Sequence, residues 1–481
     1  MAKVEQRFSP QVESFIETYD EALRNGTAAV FAGAGLSASS GYVNWKELLR
    51  GIAADLGLDV DRETNLVAIA QYHYNERSSR SHINQTLVNE FSKDHEVNEN
   101  HEILAGLPIR TYWTTNYDHM IENALRDAGK NVERKHSVAS LRTTTPNSDA
   151  VVYKMHGDVD DPDNAVLTKD DYEGYFRDRE LFVTKLTADL VSKTMLFVGF
   201  SFSDPNIDYV LSRIRVVLNK KPKQHYCILR RLERLPREKL RNYEYRKRQQ
   251  DYFVKDLSRL GIRVLVVDEY KDVTRILRAI EEKYRTRTVF ISGSASDFHP
   301  WSADDAANFI ESMAAGLIKN KFNIVSGFGL GVGPSVISGA LQTIQSSPRR
   351  FSRDQLHTFP FPISNNLGNR RASVYRRHRE EIIKKAGIAI FLFGNKRKEN
   401  GDIVRSEGVF EEYEIARQMG LHTIAVGATG WVAQEIANIT GNGVDGRSKA
   451  FGKAHLILSD FNSSVEDMVK SVLLMVNEIR R

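Results

Sequence analysis

The sequence predicts two α/β domains in one chain, each built on a parallel β-sheet with helices packed on its faces. Short apolar runs alternate with longer amphipathic stretches, a pattern typical of strands joined by crossover helices. Many of the runs end in a glycine or a polar turn, and the pattern starts again after residue 284. A chain of 481 residues is also too long for one ordinary hydrophobic core. We therefore predict a first domain at residues 1–283 and a second at residues 284–481.

Six apolar runs predict the strands of the first domain. Short runs that are apolar on both faces are typical of buried parallel strands. The six runs are residues 28–32, 110–113, 151–155, 194–198, 226–229 and 263–267.

A basic stretch lies between the last two of these runs. The residues from Arg230 to Arg248 include nine Lys and Arg residues interleaved with leucines. We predict a solvated amphipathic helix there rather than a nucleic-acid-binding patch.

The second domain begins after a predicted helix at residues 273–284, where Ile276, Leu277 and Ile280 have helical spacing. Four more apolar runs predict its strands, and each is followed by a turn of glycine or polar residues. Ligands of parallel sheets bind at the carboxyl ends of the strands, so these turns hold candidate binding residues. The runs are residues 288–291, 323–325, 388–393 and 423–426.

The charge and cysteine content argue against several classes of function. The chain has 67 basic and 62 acidic residues, a net charge of +5, which gives no reason to expect a nucleic-acid partner. No stretch approaches the roughly 18 apolar residues of a membrane span, and residues 1–5 lack a signal-peptide core, so we expect a cytoplasmic protein without a membrane partner. Cys227 is the single cysteine and lies in an apolar run. We expect it to be buried, and we expect no metal, because one cysteine cannot build a multi-cysteine zinc site.

A glycine-rich turn follows the first apolar run directly. Gly33, Ala34 and Gly35 stand where a strand turns into a helix, and Ser37 follows them. Glycines let a backbone approach a diphosphate without a Cβ in the way, and a helix N-terminus favours the negative charge. The motif therefore predicts a phosphate-binding turn, while a tight turn without a ligand is the alternative.

Polar residues also follow the next two runs. Asn116 follows the run at 110–113, and its amide both donates and accepts, which suits a ribose hydroxyl or a water. Asp118 is placed either to fix this loop or to cap the helix predicted to begin near it. His156 ends the run at 151–155, and an imidazole suits general-base work near neutral pH. A structural histidine at a strand end is the alternative for His156.

Four motifs in this order resemble the signatures of the sirtuin family. Residues 33–37 resemble the GAGxS motif, residues 114–118 the TxNxD motif, and residues 156–157 the HG motif. Residues 199–206, with the sequence Gly-Phe-Ser-Phe-Ser-Asp-Pro-Asn, resemble a variant of the GTS turn. The resemblance implies a Rossmann-type parallel sheet that handles NAD, with Asn116 and His156 as the catalytic pair. It also implies that NAD is held by Gly33, Ala34, Gly35, Ser37, Asp118 and Ser201.

The sequence departs from typical sirtuin deacetylases in one informative way. Those enzymes carry a four-cysteine zinc module, which a chain with one cysteine cannot build. The departure favours simple cleavage of the nicotinamide–ribose bond, which yields ADP-ribose and nicotinamide. Asn116 would position the ribose or a water, and His156 would act as the base. Two alternatives stay open, namely a protein deacylase or ADP-ribosyl transferase, and a non-catalytic nucleotide sensor.

The second domain has its own candidate anion-binding residues. Gly293 and Ser294 follow its first run, and residues 327–333 form a glycine-rich turn after the second. Close helix–strand packing is the alternative role of these glycines.

Charged residues follow later in the second domain. Glu411 and Glu412 are predicted to begin a helix, where a carboxylate can accept hydrogen bonds from a ribose diol, or can cap the helix and pair with a basic side chain. A cluster of basic residues suits phosphate groups, while a solvated helix face is the alternative for it. The cluster consists of Arg370, Arg371, Arg376, Arg377, Arg379 and Lys396.

This half of the chain resembles the SLOG family of Rossmann-like α/β sensors of nucleotide-derived signals. A sirtuin-like domain followed by a SLOG domain is the architecture of the NADase effectors of bacterial Thoeris antiphage systems. The resemblance implies that a cyclic ADP-ribose isomer, made by a TIR-domain partner protein, binds the second domain and switches on NAD cleavage. It also implies a homo-tetramer or a larger assembly. The implied effector-binding residues are Gly293, Ser294, Gly329, Gly331, Arg379, Lys396 and Glu412.

Overall fold

The computed structural model describes residues 7–202, 204–217, 223–362, 370–441 and 448–480. The chain folds into two compact units, Met1–Glu281 and Glu282–Arg481. Ser203, which belongs to the motif at residues 199–206, lies outside the described residues. In the described ranges, no helix is both long enough and apolar enough to cross a membrane.

The first unit is built on a parallel sheet whose strands alternate with helices. Its strands are β1 (Ala28–Ala32), β2 (Thr111–Thr114), β3 (Val132–Lys135), β4 (Ala150–Lys154), β5 (Thr194–Val198), β6 (His225–Arg230) and β7 (Ile262–Val267). In the described part of the chain they pair in the order β3-β4-β2-β1-β5-β6-β7, and all neighbours are parallel. The carboxyl ends of these strands therefore meet at one edge. The helices are α1 (Pro10–Arg24), α2 (Ala34–Ser37), α3 (Trp45–Asp55), α4 (Leu66–Arg77), α5 (Ser81–Phe91), α6 (Glu99–Gly106), α7 (Met120–Asp127), α8 (Lys169–Asp178), α9 (Glu180–Ser192), α10 (Pro205–Val217), α11 (Leu240–Arg259) and α12 (Tyr270–Arg285).

The six predicted strands of the first unit are confirmed, with bounds shifted by a residue at most. The central strands β1 and β5 are buried along their whole length, which is why their sequences are apolar throughout. Cys227 is buried in β6 as predicted, and burial raises the pKa of its thiol to about 12. The edge strand β3 was not predicted, because its sequence Val-Glu-Arg-Lys carries the charges common on sheet edges.

The prediction of a helix from Arg230 to Arg248 is wrong in its start. Residue 230 still belongs to β6, and α11 begins only at Leu240. Pro236 disfavours helical backbone at the residue before it, and Arg237 has a φ of 64°. By contrast, the helix predicted at residues 273–284 is confirmed within α12, where Ile276, Leu277 and Ile280 are buried.

The second unit is a smaller parallel sheet with an added hairpin. Its strands are β8 (Thr288–Ser294), β9 (Asn323–Ser326), β10 (Leu356–Thr358), β11 (Ile388–Phe393), β12 (Asn395–Arg397), β13 (Ile403–Arg405) and β14 (His422–Ala425). The order in the described residues is β10-β9-β8-β11-β14, with parallel pairs, while β12 and β13 pair antiparallel. The helices are α13 (Ala303–Lys319), α14 (Gly333–Ser346), α15 (Arg371–Ile383), α16 (Glu407–Gln418), α17 (Trp431–Thr440), α18 (Lys449–Ser459) and α19 (Val465–Arg480).

The four predicted strands of the second unit are confirmed as β8, β9, β11 and β14. The strands β10, β12 and β13 have three residues each and are partly exposed, so no apolar run announces them. The helix expected to begin at Glu411 and Glu412 instead begins at Glu407. Both glutamates therefore lie on its second turn rather than at its N-terminus. Fold class is as predicted, because both units are parallel α/β folds.

Candidate functional site

A cavity of about 1120 Å³ opens in the first unit, lined largely by segments that follow its strands. Pockets for small molecules and cofactors measure about 300–1,000 Å³, so this cavity is large enough for a dinucleotide. Seven of the eight residues predicted to hold or act on NAD line it, and Gly33 is the exception. The sheet therefore brings together motifs that are far apart in the sequence.

Two glycine turns pack against each other beside the cavity. A Cβ on Gly33 or Gly35 would clash with the backbone of Gly199, and a Cβ on Gly199 would clash with Leu36. The N–H of Gly33 donates to the Val198 carbonyl at 3.0 Å, and the N–H of Gly35 donates to the Gly199 carbonyl at 2.9 Å. The glycines are thus needed for close packing of the two turns. Because α2 has only four residues, few peptide dipoles add up at this turn.

Asn116 connects two of the predicted motifs. Its backbone N–H donates to Thr114 Oγ1 at 2.9 Å, and its Nδ2 donates to Ser37 Oγ at 3.3 Å. Asp118 Oδ1 accepts from the N–H of Met120 at 3.0 Å, the local turn that fixes the loop before α7. Asn116, Asp118 and Ser37 are all buried and all line the cavity.

His156 contacts a carboxylate that the sequence analysis did not assign. Its Nε2 lies 2.9 Å from Asp204 Oδ2, and the two side chains are 5% and 10% exposed. The contact is electrostatic rather than a well-aligned hydrogen bond. The other oxygen of Asp204 caps α10, accepting from the N–H groups of Asn206 at 2.8 Å and Ile207 at 3.3 Å. Burial acts to raise the pKa of Asp204, but His156 and these N–H groups outweigh it and leave that pKa lowered.

A buried lysine supports the loop that carries Asn116. Lys154 ends β4 and is fully buried. Its Nζ donates to the carbonyl oxygens of Tyr117 at 2.9 Å and Asp118 at 2.6 Å. The same Nζ lies 2.8 Å from Asp158 Oδ2, a carboxylate that is also fully buried. The loop is therefore tied through its backbone to an internal ion pair.

Three residues of this site were not predicted from the sequence, namely Asp204, Lys154 and Asn98. Asp204 precedes a proline at a helix start, an N-cap signal that could have identified it. Lys154 is a charged residue inside an apolar run, which signals a buried charge with partners. Asn98 lines the cavity and donates through Nδ2 to the Leu36 carbonyl at 2.9 Å. Asn98 is also the N-cap of α6, where its Oδ1 accepts from the N–H of His101 at 3.2 Å. That signal marks a helix start, whereas only the fold brings Asn98 to the glycine turn.

In the second unit, the predicted glycines join two turns. A Cβ on Gly329 would overlap the carbonyl oxygen of Gly293, and a Cβ on Gly331 would overlap that of Ala295. The N–H of Ala295 donates to the Leu330 carbonyl at 2.8 Å, and Gly331 has a φ of 75°. Close packing of backbones accounts for these glycines without a ligand.

Arg379 and Glu412, both predicted to bind the effector, lie next to each other. Arg379 Nε is 3.4 Å from Glu412 Oε1, and its Nη1 is 2.8 Å from Glu411 Oε2. Ser292 Oγ donates to the other oxygen of Glu412 at 2.6 Å. Burial raises the pKa of Glu412, and Ser292 and Arg379 only partly offset it. The guanidinium also lies 5.0 Å from the ring centroid of Phe361.

The remaining predicted effector residues lie where β8 meets the hairpin. Ser294 Oγ donates to the carbonyl of Asn395 at 3.0 Å, which joins the end of β8 to β12. Lys396 is exposed on β12. The structure thus pairs Arg379 with Glu412 and places Ser294 next to the hairpin that carries Lys396.

Two groups of histidine and aspartate in the described residues have potential ligand atoms within 4.8 Å of one another. They are Asp55, His73 and His82, and His119, Asp158 and Asp160. In the second group Arg134 Nη1 lies 3.2 Å from Asp158 and 2.8 Å from Asp160, so a protein cation already neutralises it. The expectation of no metal stays a prediction.

Comparison with known proteins assigns both halves of the chain. A model of the SIR2-like domain matches residues 110–255, and a model of the Sir2- and TIR-associating SLOG family matches residues 272–479. The chain is 43% identical to the NAD(+) hydrolase ThsA of Bacillus cereus (strain MSX-D12), over 98% of this chain and 99% of that protein. It is 45% identical to the NAD(+) hydrolase ThsA of Enterococcus faecium, over 86% and 87%. Defense-associated sirtuin 2 of Bacillus subtilis is 28% identical over 42% of this chain and 20% of its own.

Proposed function

The chain belongs to the ThsA family of NAD(+) hydrolases, and on that premise we propose that Asn116 and His156 of its first unit hydrolyse NAD to ADP-ribose and nicotinamide. One observation carries the assignment of these residues. Both side chains line a single cavity of dinucleotide size, and His156 has a buried carboxylate 2.9 Å from its ring. A histidine with a carboxylate beside it is suited to the proton transfer that hydrolysis requires.

The reaction replaces one bond of the ribose C1′ atom with another. The bond from C1′ to the nicotinamide nitrogen breaks, its electron pair leaves with nicotinamide, and C1′ gains oxocarbenium character. A water oxygen then bonds to C1′ and loses a proton. Asn116 positions the ribose or this water, because its amide both donates and accepts. His156 takes the proton from the water or from a ribose hydroxyl.

Asp204 and Lys154 act as positioning residues in this scheme. The Asp204 carboxylate holds the His156 ring and favours the positive charge that the ring gains as a base. Lys154 fixes the backbone on either side of the Tyr117–Asp118 peptide, and so fixes where the loop presents Asn116. The residues proposed to hold NAD are Ala34, Gly35, Ser37, Asp118 and Ser201, with Gly33 shaping the turn.

The proposed control of this reaction lies in the second unit. A cyclic ADP-ribose isomer would bind there, and the description of the matching family, which joins Sir2 and TIR domains to SLOG, supports a TIR-domain protein as its source. Arg379 and Lys396 would meet its phosphates, Glu412 its ribose, and the turns at Gly293, Ser294, Gly329 and Gly331 would add backbone contacts. Because Arg379 already pairs with Glu411 and Glu412, a phosphate has to replace a carboxylate. The assembled protein, a cytoplasmic homo-tetramer or larger, would deplete NAD in antiphage defence.

Nicotinamide release from NAD by the purified full chain, in the presence of the cyclic isomer, tests the catalytic assignment. Loss of a positioned acid–base group lowers the rate about 10²- to 10⁴-fold. The rate of nicotinamide release should therefore fall by that factor in Asn116→Ala and in His156→Ala. Asp204→Asn keeps the shape but not the charge, and nicotinamide release should fall by about 10- to 100-fold, the equivalent of one lost charge-assisted contact. Asp256→Asn, an exposed partner of Arg259 on α11, is the matched control and should change nothing. Full NAD cleavage by Asn116→Ala would show that the catalytic assignment is wrong.

A further inference from the structure

The cavity of the first unit extends well beyond the predicted catalytic pair. His156 follows β4, Arg230 ends β6 and Tyr270 begins α12, and all three line the cavity. Four strand-to-strand steps separate β4 from β6 in the sheet, which is about 19 Å at roughly 4.8 Å a step. The cavity thus follows the sheet edge over a distance comparable to an extended dinucleotide.

The strand order gives the direction in which a dinucleotide would lie. Asn116 and His156 follow β2 and β4, so the reacting ribose lies at that end; this step rests on the proposed function. The turns at Gly33 and Gly199 follow β1 and β5, which pair with each other between the two ends. The diphosphate falls at these turns, and the adenosine half falls at β6.

The β6 end of the cavity is lined by three cations, Arg230, Arg231 and Lys271. The guanidinium carbon of Arg230 lies 4.7 Å from the centroid of the Tyr270 ring, and both residues line the cavity. Arg231 Nε pairs with Asp268 at 2.8 Å, but the two side chains are 55% and 76% exposed. Exposed pairs of this kind contribute little, so a ligand can replace the carboxylate.

The acidic partners of these cations do not line the cavity. Glu233, Asp268 and Glu269 pair with Arg230, Arg231 and Lys271, yet none of the three carboxylates belongs to the described lining. The carboxylates that do line it are Asp118 and Asp204 at the catalytic end and Glu99, which pairs with Arg278. The charge presented to a ligand at β6 is therefore positive.

A positive charge at this place bears on which dinucleotide fits. In α/β dinucleotide sites, a carboxylate near the adenosine ribose binds the free 2′-hydroxyl, whereas an arginine accommodates a 2′-phosphate. Guanidinium groups also bind phosphate through two parallel hydrogen bonds. We propose that the first unit also accepts NADP, with Arg230 and Arg231 binding the phosphate on the adenosine ribose. The chemistry at C1′ is unchanged, and the products are 2′-phospho-ADP-ribose, nicotinamide and one proton.

The test compares kcat/KM for NADP with kcat/KM for NAD, both measured as nicotinamide release by the full chain. The Arg230→Ala/Arg231→Ala double variant removes charge-assisted hydrogen bonds to the extra phosphate, and should lower the NADP-to-NAD ratio by about 10- to 100-fold. Arg263→Ala is the matched control, because Arg263 is exposed near the start of β7. It therefore lies at the amino ends of the strands, whereas the cavity lies at their carboxyl ends. It should leave the ratio unchanged. Calorimetric binding of both dinucleotides to the full-length Asn116→Ala chain gives a second readout that does not need turnover.

The outcomes separate this inference from the function on which it rests. Cleavage of NAD without cleavage or binding of NADP would overturn the inference and leave the hydrolase intact. A ratio that the double variant does not change would overturn it as well. If neither dinucleotide is cleaved, the proposed function fails, and the binding measurement then tests the inference about NADP on its own. The inference is rejected as well if NADP does not bind, or if the Arg230→Ala/Arg231→Ala substitutions do not weaken its binding.

Discussion

The two units carry the same sequence signature, a glycine turn after a buried strand, in different surroundings. In the first unit the turns at Gly33 and Gly199 border a cavity of about 1120 Å³. In the second unit the turns at Gly293 and Gly329 pack just as closely, while the predicted binding residue Arg379 pairs with carboxylates of its own chain. A glycine turn therefore shows where two backbones meet, and only the side chains around it show whether a ligand has room.

The two units also differ in how they bury charge. Lys154, Asp158 and Glu122 of the first unit are at most 1% exposed as side chains. Arg379 and Glu412 of the second unit are 12% and 11% exposed, and Glu411 beside them is 31% exposed. The first cluster is sealed and serves as a scaffold, whereas the second is open enough for a ligand to compete with its ion pairs.

Removal of the paired cation in each unit gives the largest expected contrast. Lys154→Met leaves Glu122 buried without its counter-charge, while Asp158 keeps Arg134 at 3.2 Å, and this should cost about 3–5 kcal/mol of the free energy of unfolding. Arg379→Met should cost about 1–3 kcal/mol, because Glu412 keeps its bond from Ser292 and its raised pKa eases protonation. Urea unfolding followed by hydrogen exchange and mass spectrometry measures the two units separately.

A charge-neutral variant serves as the control for the lysine. Lys154→Met/Glu122→Gln removes the unpaired charge and should recover most of the lost stability. It should not recover activity, because the Lys154 ammonium no longer donates to the carbonyls of Tyr117 and Asp118. Equal losses for Lys154→Met and Arg379→Met would erase the contrast between a sealed and an open cluster.

The response of stability to pH should differ between the two units. Burial lowers the pKa of His101 and of His225 in the first unit to about 4 each, against about 6.5 in an unfolded chain. The unfolded state binds more protons between these values, so acidification from pH 6.5 to 4 should cost the first unit about 3 kcal/mol per histidine. In the second unit the raised pKa of Glu412 works the other way. It offsets the effect of His455, whose pKa burial lowers, so acid should cost that unit less stability.

Hydrogen exchange in urea at pH 5 and pH 7, corrected for the intrinsic exchange rate, checks this prediction. His101→Leu should reduce the acid sensitivity of the first unit, because both ring nitrogens of His101 are buried without a hydrogen-bond partner and little is lost by their removal. Parallel pH profiles in the two units would contradict the assignment of these groups.

Sequence patterns predicted the apolar parts of the fold and missed the polar ones. The strands β1 and β5 are buried throughout, so hydrophobicity alone identifies them. The edge strand β3 and the hairpin strand β12 are held by backbone pairing rather than by apolar side chains, and their sequences look like loops. The start of α11 was misplaced because charge and leucine spacing suggested a helix across Pro236.

The candidate site followed the same rule. Asn116 and His156 were predicted from local motifs, and the sheet places both on one cavity. The residues that support them come from other segments: Asp204, which contacts His156, from the start of α10, and Lys154, which supports the loop of Asn116, from the end of β4. Contacts of this kind depend on how strands are ordered in the sheet, which a pattern within one segment does not encode.

We propose that the second unit controls NAD cleavage by the first. Nicotinamide release from NAD by the purified full chain, measured with and without a cyclic ADP-ribose isomer, is the decisive experiment. Release should rise with the isomer, and Arg379→Ala should remove that rise. Release that is the same with and without the isomer would contradict the control by the second unit, and no release under either condition would contradict the hydrolase itself.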